Sequence, residues 1–234
     1  MYRRKMRGMY ISKRALRKHF DPREFPMETY LMCELWWHGG MRSWRHWVRN
    51  DDYNNCHAEQ YFLEEIFEPR SYNICDMYWY LSYSPCSECC DVIRDFLEEQ
   101  PNVNIYIHVA RLYRINDQEN CEALRKLNSL QEVTIKAMEA EDYNYCRKTF
   151  IQRGVDCDFS PKKFQSEIQR NRVKLDDILQ AGRQNKFQSS KPRGYKVCIL
   201  SCFFLGTKVE NKVFETHFHK QIQLVPGEGS REGA

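Results

Sequence analysis

No apolar run in the 234-residue chain approaches the roughly 18 residues that a helical membrane span requires. Nothing at the start reads as a signal peptide. The 11 cysteines are an odd number, scattered without a repeating frame, so a disulfide scaffold is not expected. The expectation is an intracellular, reducing setting (cytoplasm and nucleus) in which thiols serve as ligands or packing groups. A second C-x-x-C unit is also missing, which removes the commonest form of a four-ligand structural zinc site. The first eighteen residues contain no acid, only Arg3, Arg4, Lys5, Arg7, Lys13, Arg14, Arg17 and Lys18 among charged groups. The net charge of +4 hides this asymmetry. Counting Lys and Arg against Asp and Glu, residues 1–50 carry 12 against 4 and residues 51–158 carry 10 against 21, leaving the remainder at +7. Basic ends around an acidic middle suit a polyanionic partner gripped at the ends, although they also suit plain solubility.

The middle holds the chemistry. His57-Ala58-Glu59 is followed downstream by Pro85-Cys86-Ser87-Glu88-Cys89. One imidazole and two thiolates supply three corners of a tetrahedron and leave the fourth for water, as catalytic zinc sites do. Zinc lowers the pKa of bound water from about 15.7 to about 7, and Glu59, not needed as a ligand, is placed to move protons. H-x-E followed by P-C-x-x-C is the established signature of zinc deaminases that act on nucleobases. Cys86 and Cys89 share a helix face. Ser84-Pro85 before them reads as the cap and first residue of that helix. Residues two apart in mid-helix point about 200° away from one another, so His57 and Glu59 share a site only over a helix end. The residues alone also admit a structural zinc corner with Cys90 as fourth ligand, or a redox pair. Neither gives Glu59 a role.

Taken in order, residues 12–19 read as a helix ended by Asp21-Pro22. Residues 28–37 and 41–49 read as a hairpin turned by Gly39-Gly40, after which 50–55 form a polar loop. Helix 57–68 carries Phe62, Leu63, Ile66 and Phe67 as an apolar stripe. Strand 75–83, helix 85–99, the alternating strand 103–111, helix 117–130, a strand near 132–138 and helix 140–152 follow. Strands alternating with helices predict a mixed sheet covered by helices, with its site where strands end and helices begin. Residues 160–180 suggest an amphipathic helix with Phe164, Ile168, Leu175, Ile178 and Leu179 inward. A polar linker over 184–194, β-forming stretches at 195–205 and 217–225, and a terminal Gly-Glu-Gly-Ser-Arg-Glu-Gly-Ala close the chain. The expected division is a basic segment 1–19, a core 20–155, a helix 156–183 and a tail 184–234.

With these segments in hand, the chain resembles the AID/APOBEC polynucleotide cytidine deaminases from about Phe20 to Phe150. The resemblance rests on Phe20-Asp21-Pro22-Arg23-Glu24, Glu28-Thr29-Tyr30-Leu31, His57-Ala58-Glu59, Tyr80-Leu81-Ser82-Tyr83-Ser84-Pro85-Cys86, Ala110-Arg111-Leu112-Tyr113 and Tyr143-Asn144-Tyr145-Cys146. The Asp-Pro-Arg-Glu stretch and Asp117-Gln118-Glu119-Asn120 look most like the apolipoprotein B mRNA-editing branch, with activation-induced cytidine deaminase close behind. The resemblance implies an α/β fold of five mixed strands surrounded by about six helices, one Zn2+, and hydrolysis of cytosine to uracil in single-stranded DNA or RNA. It also admits an RNA-binding auxiliary protein as partner. It assigns His57, Cys86 and Cys89 to zinc and Glu59 to acid/base work. Tyr113 would stack on a nucleotide, Ser84 would offer its carbonyl and Ala58 its N–H to the base. Asn50, or else Asn54 or Asn55, would touch the sugar, and Thr29 would lie at the pocket mouth. Tyr83 stands where the family usually has tryptophan, and Pro26 and Met27 where relatives are often basic. Arg114 follows Tyr113 where relatives favouring a 5′ thymine carry an acid. By themselves Tyr113 and Tyr83 would equally serve as packing groups and Asn50 as a turn residue. Adenosine deamination of transfer RNA, and strand coating without catalysis, are the competing readings.

Overall fold

A computed structural model describes residues 9–40, 42–50, 56–69, 73–155 and 157–188, with 182–188 as backbone only. Five strands, β1 (Tyr30–Trp37), β2 (Trp44–Arg49), β3 (Cys75–Leu81), β4 (Val103–Val109) and β5 (Val133–Ala137), form one sheet in the order β2-β1-β3-β4-β5. β1 runs antiparallel to both neighbours, whereas β3, β4 and β5 are parallel. Parallel strands need crossovers, and two helices supply them on one face of the sheet, while other helices cover the opposite face. The six helices are α1 (Lys13–Phe20), α2 (Ala58–Glu65), α3 (Ser87–Glu99), α4 (Gln118–Leu127), α5 (Ala140–Phe150) and α6 (Gln165–Gln188), the last preceded by a 3-10 turn, Pro161–Phe164.

Strand periodicity of two divides the side chains between two cores. Leu31, Cys33 and Leu35 of β1, Met77 and Trp79 of β3, and Ile105 and Ile107 of β4 face one side. There they meet Phe62, Ile93, Leu124 and Leu175 from α2, α3, α4 and α6. Tyr30, Met32 and Tyr80 face the other side, with Leu16 and Phe20 of α1 and Tyr143, Cys146 and Phe150 of α5. A strand buried on both faces carries few polar residues, which is why β1 reads as a nearly unbroken apolar run. The exception is Glu34, buried but bonded to Arg45 at 2.7 Å, to Ser43 and to Tyr145. Gly39 turns the hairpin at a φ of 84°, a conformation that costs glycine little.

Within the described residues, the strands and helices expected from the sequence are present, with shifted ends. α2 stops at Glu65 rather than 68, and β2 begins only at Trp44. Ser84-Pro85 does not open α3. Its N-cap is Cys86 and its first residue Ser87, because Ser84 is held instead by the segment after β4. The polar stretch assigned as a linker from 184 is helical through Gln188. The strands expected at 195–205 and 217–225 lie outside the described residues, as do residues 1–8. Among the described residues no helix is long and apolar enough to cross a membrane.

Candidate metal centre and its pocket

His57 and Cys86 are both N-caps, of α2 and α3, and Cys89 sits in the first turn of α3. Two helix N-termini therefore point at one place, where their partial positive charge favours thiolates. His57 Nδ1 lies 3.1 Å from Cys89 Sγ and 3.4 Å from Cys86 Sγ. The three donor atoms fall within 4.8 Å of one another and form a group able to hold a metal ion. Cys90 is not part of it. It is buried in the core beside the sheet, and burial pushes its thiol pKa upward. The hydrogen bond between the two thiols holds the Cys86 thiol below the usual thiol range and, with burial, pushes the Cys89 thiol up.

Glu59 occupies the second position of α2, so its side chain leans over the helix end toward the thiols, as the spacing demands. It is only 6% exposed, and burial raises its carboxyl pKa from 4.5 to about 7. A carboxyl poised at that value can both hold and release a proton near neutral pH. Asn120 supports the constellation from α4. Its Oδ1 accepts from the Ser87 N–H at 2.8 Å and so occupies one of the free donors at the start of α3.

Above this group opens a cavity of about 380 Å³ lined by His57, Glu59, Cys86 and Cys89 at its floor. Its walls include Thr29, Asn50, Tyr83, Ser84 and Tyr113, together with Phe25, Pro26 and Met27. Thr29 and Asn50 are locked together. The Thr29 N–H donates to Asn50 Oδ1 at 2.9 Å, and the Asn50 N–H to the Thr29 carbonyl at 3.1 Å. Tyr83 and Tyr113 meet edge to face, with ring centroids 6.4 Å apart. The Ser84 hydroxyl accepts from the Tyr113 N–H at 2.9 Å and thereby couples the β3 and β4 ends of the cavity. Ala58 is buried as the first residue of α2 and does not line the cavity. Arg114 also stands outside the lining, exposed, at a φ of 40°, with its guanidinium 5.2 Å from the Tyr113 ring centroid. Asn54 and Asn55 lie outside the described residues.

Two groups gained importance that motif spacing did not give them. Phe25 forms part of the cavity wall while 78% exposed. Arg111, quoted only within a resemblance motif, is 2% exposed at the end of β4 and reaches three backbone carbonyls beside the cavity. An arginine after an apolar strand was the only local signal.

Among the described residues, a mixed five-stranded sheet gathers one histidine, two cysteines and a buried glutamate into a three-donor group able to hold a metal ion, with a cleft above it. A family model described as APOBEC4-like AID/APOBEC deaminase matches residues 19–153, and the chain belongs to the AID/APOBEC deaminase family. Relatives include the C->U-editing enzyme APOBEC-1 of Mus musculus, 41% identical over 135 residues that make up 56% of this chain and 57% of the relative. The protein of the same name from Rattus norvegicus is 39% identical over the same span length, and that from Homo sapiens 36%. The chain thus spans between half and two thirds of the length of these relatives.

Proposed function

We propose that the chain is a zinc-dependent hydrolase that deaminates cytosine to uracil in single-stranded DNA or RNA. The observation that carries this reading is the buried Glu59 carboxyl, poised near neutrality directly beside the three-donor group at the floor of the cavity. The donor set suits zinc, since borderline-soft nitrogen and thiolate ligands with one corner left open are its catalytic signature. When bound by His57, Cys86 and Cys89, zinc supplies activation of water at neutral pH. The chain's own groups do the rest. Glu59 takes the proton of the attacking water, gives it to N3 of the base, and later protonates the departing amine at C4, which leaves as ammonia. The Ser84 carbonyl accepts from the exocyclic amine. Tyr83 and Tyr113 flank the base and its neighbour, where stacking is worth about 1–3 kcal/mol per base. Asn50 and Thr29 border the sugar at the mouth. The names of the relatives, which specify C-to-U editing, favour cytosine over adenosine. An RNA-binding auxiliary protein and action in cytoplasm and nucleus complete the proposal.

Mass-spectrometric assay on single strands containing one C or one A tests it. Conversion of C alone is expected, and Glu59→Ala should lower it by at least about a hundredfold with zinc content retained. Conversion of A, or substantial turnover by Glu59→Ala, would overturn the assignment.

A further inference from the structure

Arg111 is a buried cation, and the Asp21 carboxylate, itself bonded to Arg23, favours its charge. Its hydrogen bonds go to carbonyl oxygens. One terminal nitrogen donates to the Asp21 carbonyl at 2.7 Å and the Glu24 carbonyl at 2.8 Å, and the other to the His19 carbonyl. His19 lies in the last turn of α1, where unpaired carbonyls and the negative end of the helix dipole gather. The guanidinium plane also lies 4.3 Å from the Tyr83 ring centroid. The Arg111 carbonyl accepts from the Ser84 N–H at 2.8 Å, and Tyr113 follows two residues later.

One residue therefore joins three walls of the cavity: its side chain ties the loop 21–27 to Tyr83, and its backbone ties Ser84 to the Tyr113 segment. The loop has little packing of its own, since Phe25 is 78% and Met27 93% exposed. It stays in place through tethers, namely Arg111, the Tyr83 hydroxyl donating to the Pro26 carbonyl at 3.2 Å, and Arg23 donating to the Lys163 carbonyl at 3.2 Å. Only a planar fork of donors can serve several carbonyls and an aromatic face together, and the single point charge of lysine cannot.

We propose that Arg111 is a positioning residue that sets the width of the slot through which the strand on either side of the target base must pass. The inference rests on the deaminase reading. Aromatic walls on which bases stack contribute to strand affinity, so a rim held out of place is expected to weaken binding by about tenfold or more. Arg111 acts on the strand through Tyr83, Phe25 and Tyr113, so its loss falls on strand affinity and flanking preference rather than on the metal group.

The test places Arg111→Lys in a Glu59→Ala background and measures binding of a labelled single strand containing one cytosine, alongside zinc content and melting temperature. The same substitution in the active chain is read as KM against kcat with each of the four 5′ neighbours. Expected are a Kd and KM raised about tenfold or more, a flattened 5′ preference, kcat nearly unchanged, and zinc content retained. A second variant inserts two glycines between Glu24 and Phe25, which frees the rim while leaving Arg111 and its bonds to His19 and Asp21. It should show the same loss of affinity. Unchanged affinity in this variant overturns the proposal even where Arg111→Lys fails to fold, and so does a fall in kcat and zinc content without a change in KM. If the wild-type chain deaminates nothing, the functional reading fails, while the binding arm still decides the role of Arg111.

Discussion

His19 is a buried histidine whose protonation opposes the fold. It packs at 4.2 Å against the Tyr30 ring, with its Nδ1 against the Glu28 carbonyl and its Nε2 3.5 Å from the Glu28 carboxylate. Burial outweighs that carboxylate, with Lys18 and Arg111 adding to it, and lowers the His19 pKa from 6.5 to about 4. The unfolded chain therefore binds a proton that the folded chain refuses. Stability due to His19 is complete above the unfolded value and declines as pH falls through the window down to about 4. His19→Phe should flatten the fall in melting temperature across that window, and an unchanged slope would place the acid sensitivity elsewhere. Arg114 offers a second residue-scale expectation. Its φ of 40° lies in the left-handed region, which aspartate tolerates better than most residues. Arg114→Asp should thus keep the loop while reversing the charge beside Tyr113. Deamination across all four 5′ neighbours should shift toward 5′ thymine more than total turnover changes.

Among elements, α3 decides the metal group, because it supplies both thiols, Cys86 at its N-cap and Cys89 in its first turn. Its start depends on Asn120 from another helix, a side chain 4% exposed. Asn120→Ala leaves the Ser87 N–H without that acceptor. It should cost about 1–2 kcal/mol in denaturant unfolding and about tenfold or more in zinc affinity by chelator competition. Asn120→Asp, which retains the acceptor, should recover most of both. The sequence shows the elements well where periodicity is strong, as in Val103, Ile105, Ile107 and Val109 of β4 or Phe62 and Leu63 of α2. The donor spacing also made the metal group legible, since two helix ends are the only place where His57, Glu59, Cys86 and Cys89 can meet. The true start of α3 was not legible. Ser84-Pro85 has good local capping chemistry, but Ser84 is engaged by Arg111 and Tyr113, and a tertiary partner outweighed the local preference. Arg111 itself escaped because its carbonyl partners lie 87 to 92 residues upstream. Polar composition after residue 183 could not distinguish a linker from an exposed helix, so the extension of α6 to Gln188 came from the structure.

For the whole molecule, charge and fold must be read together. Part of the basic first eighteen residues belongs to the core, because Ile11 and Leu16 are buried and Trp47 Nε1 donates to the Tyr10 carbonyl at 2.8 Å. Truncation through residue 18 would strip the core. Removal of residues 1–8 alone deletes Arg3, Arg4, Lys5 and Arg7 and isolates their electrostatic contribution. If those cations neutralise phosphates, the slope of log affinity against log salt should become shallower by up to about 3, with melting temperature little changed. An unchanged slope assigns the segment another task. The long sequence separation of the Arg111 contacts also orders events in time. Chains emerge at about 5–20 residues per second, so the loop 21–27 waits on the order of 5–20 s before its tether is made. The donors are complete once Cys89 has appeared, earlier than Arg111. A nascent chain thus holds His57, Glu59, Cys86 and Cys89 before the residue that ties the cavity's rim has been made.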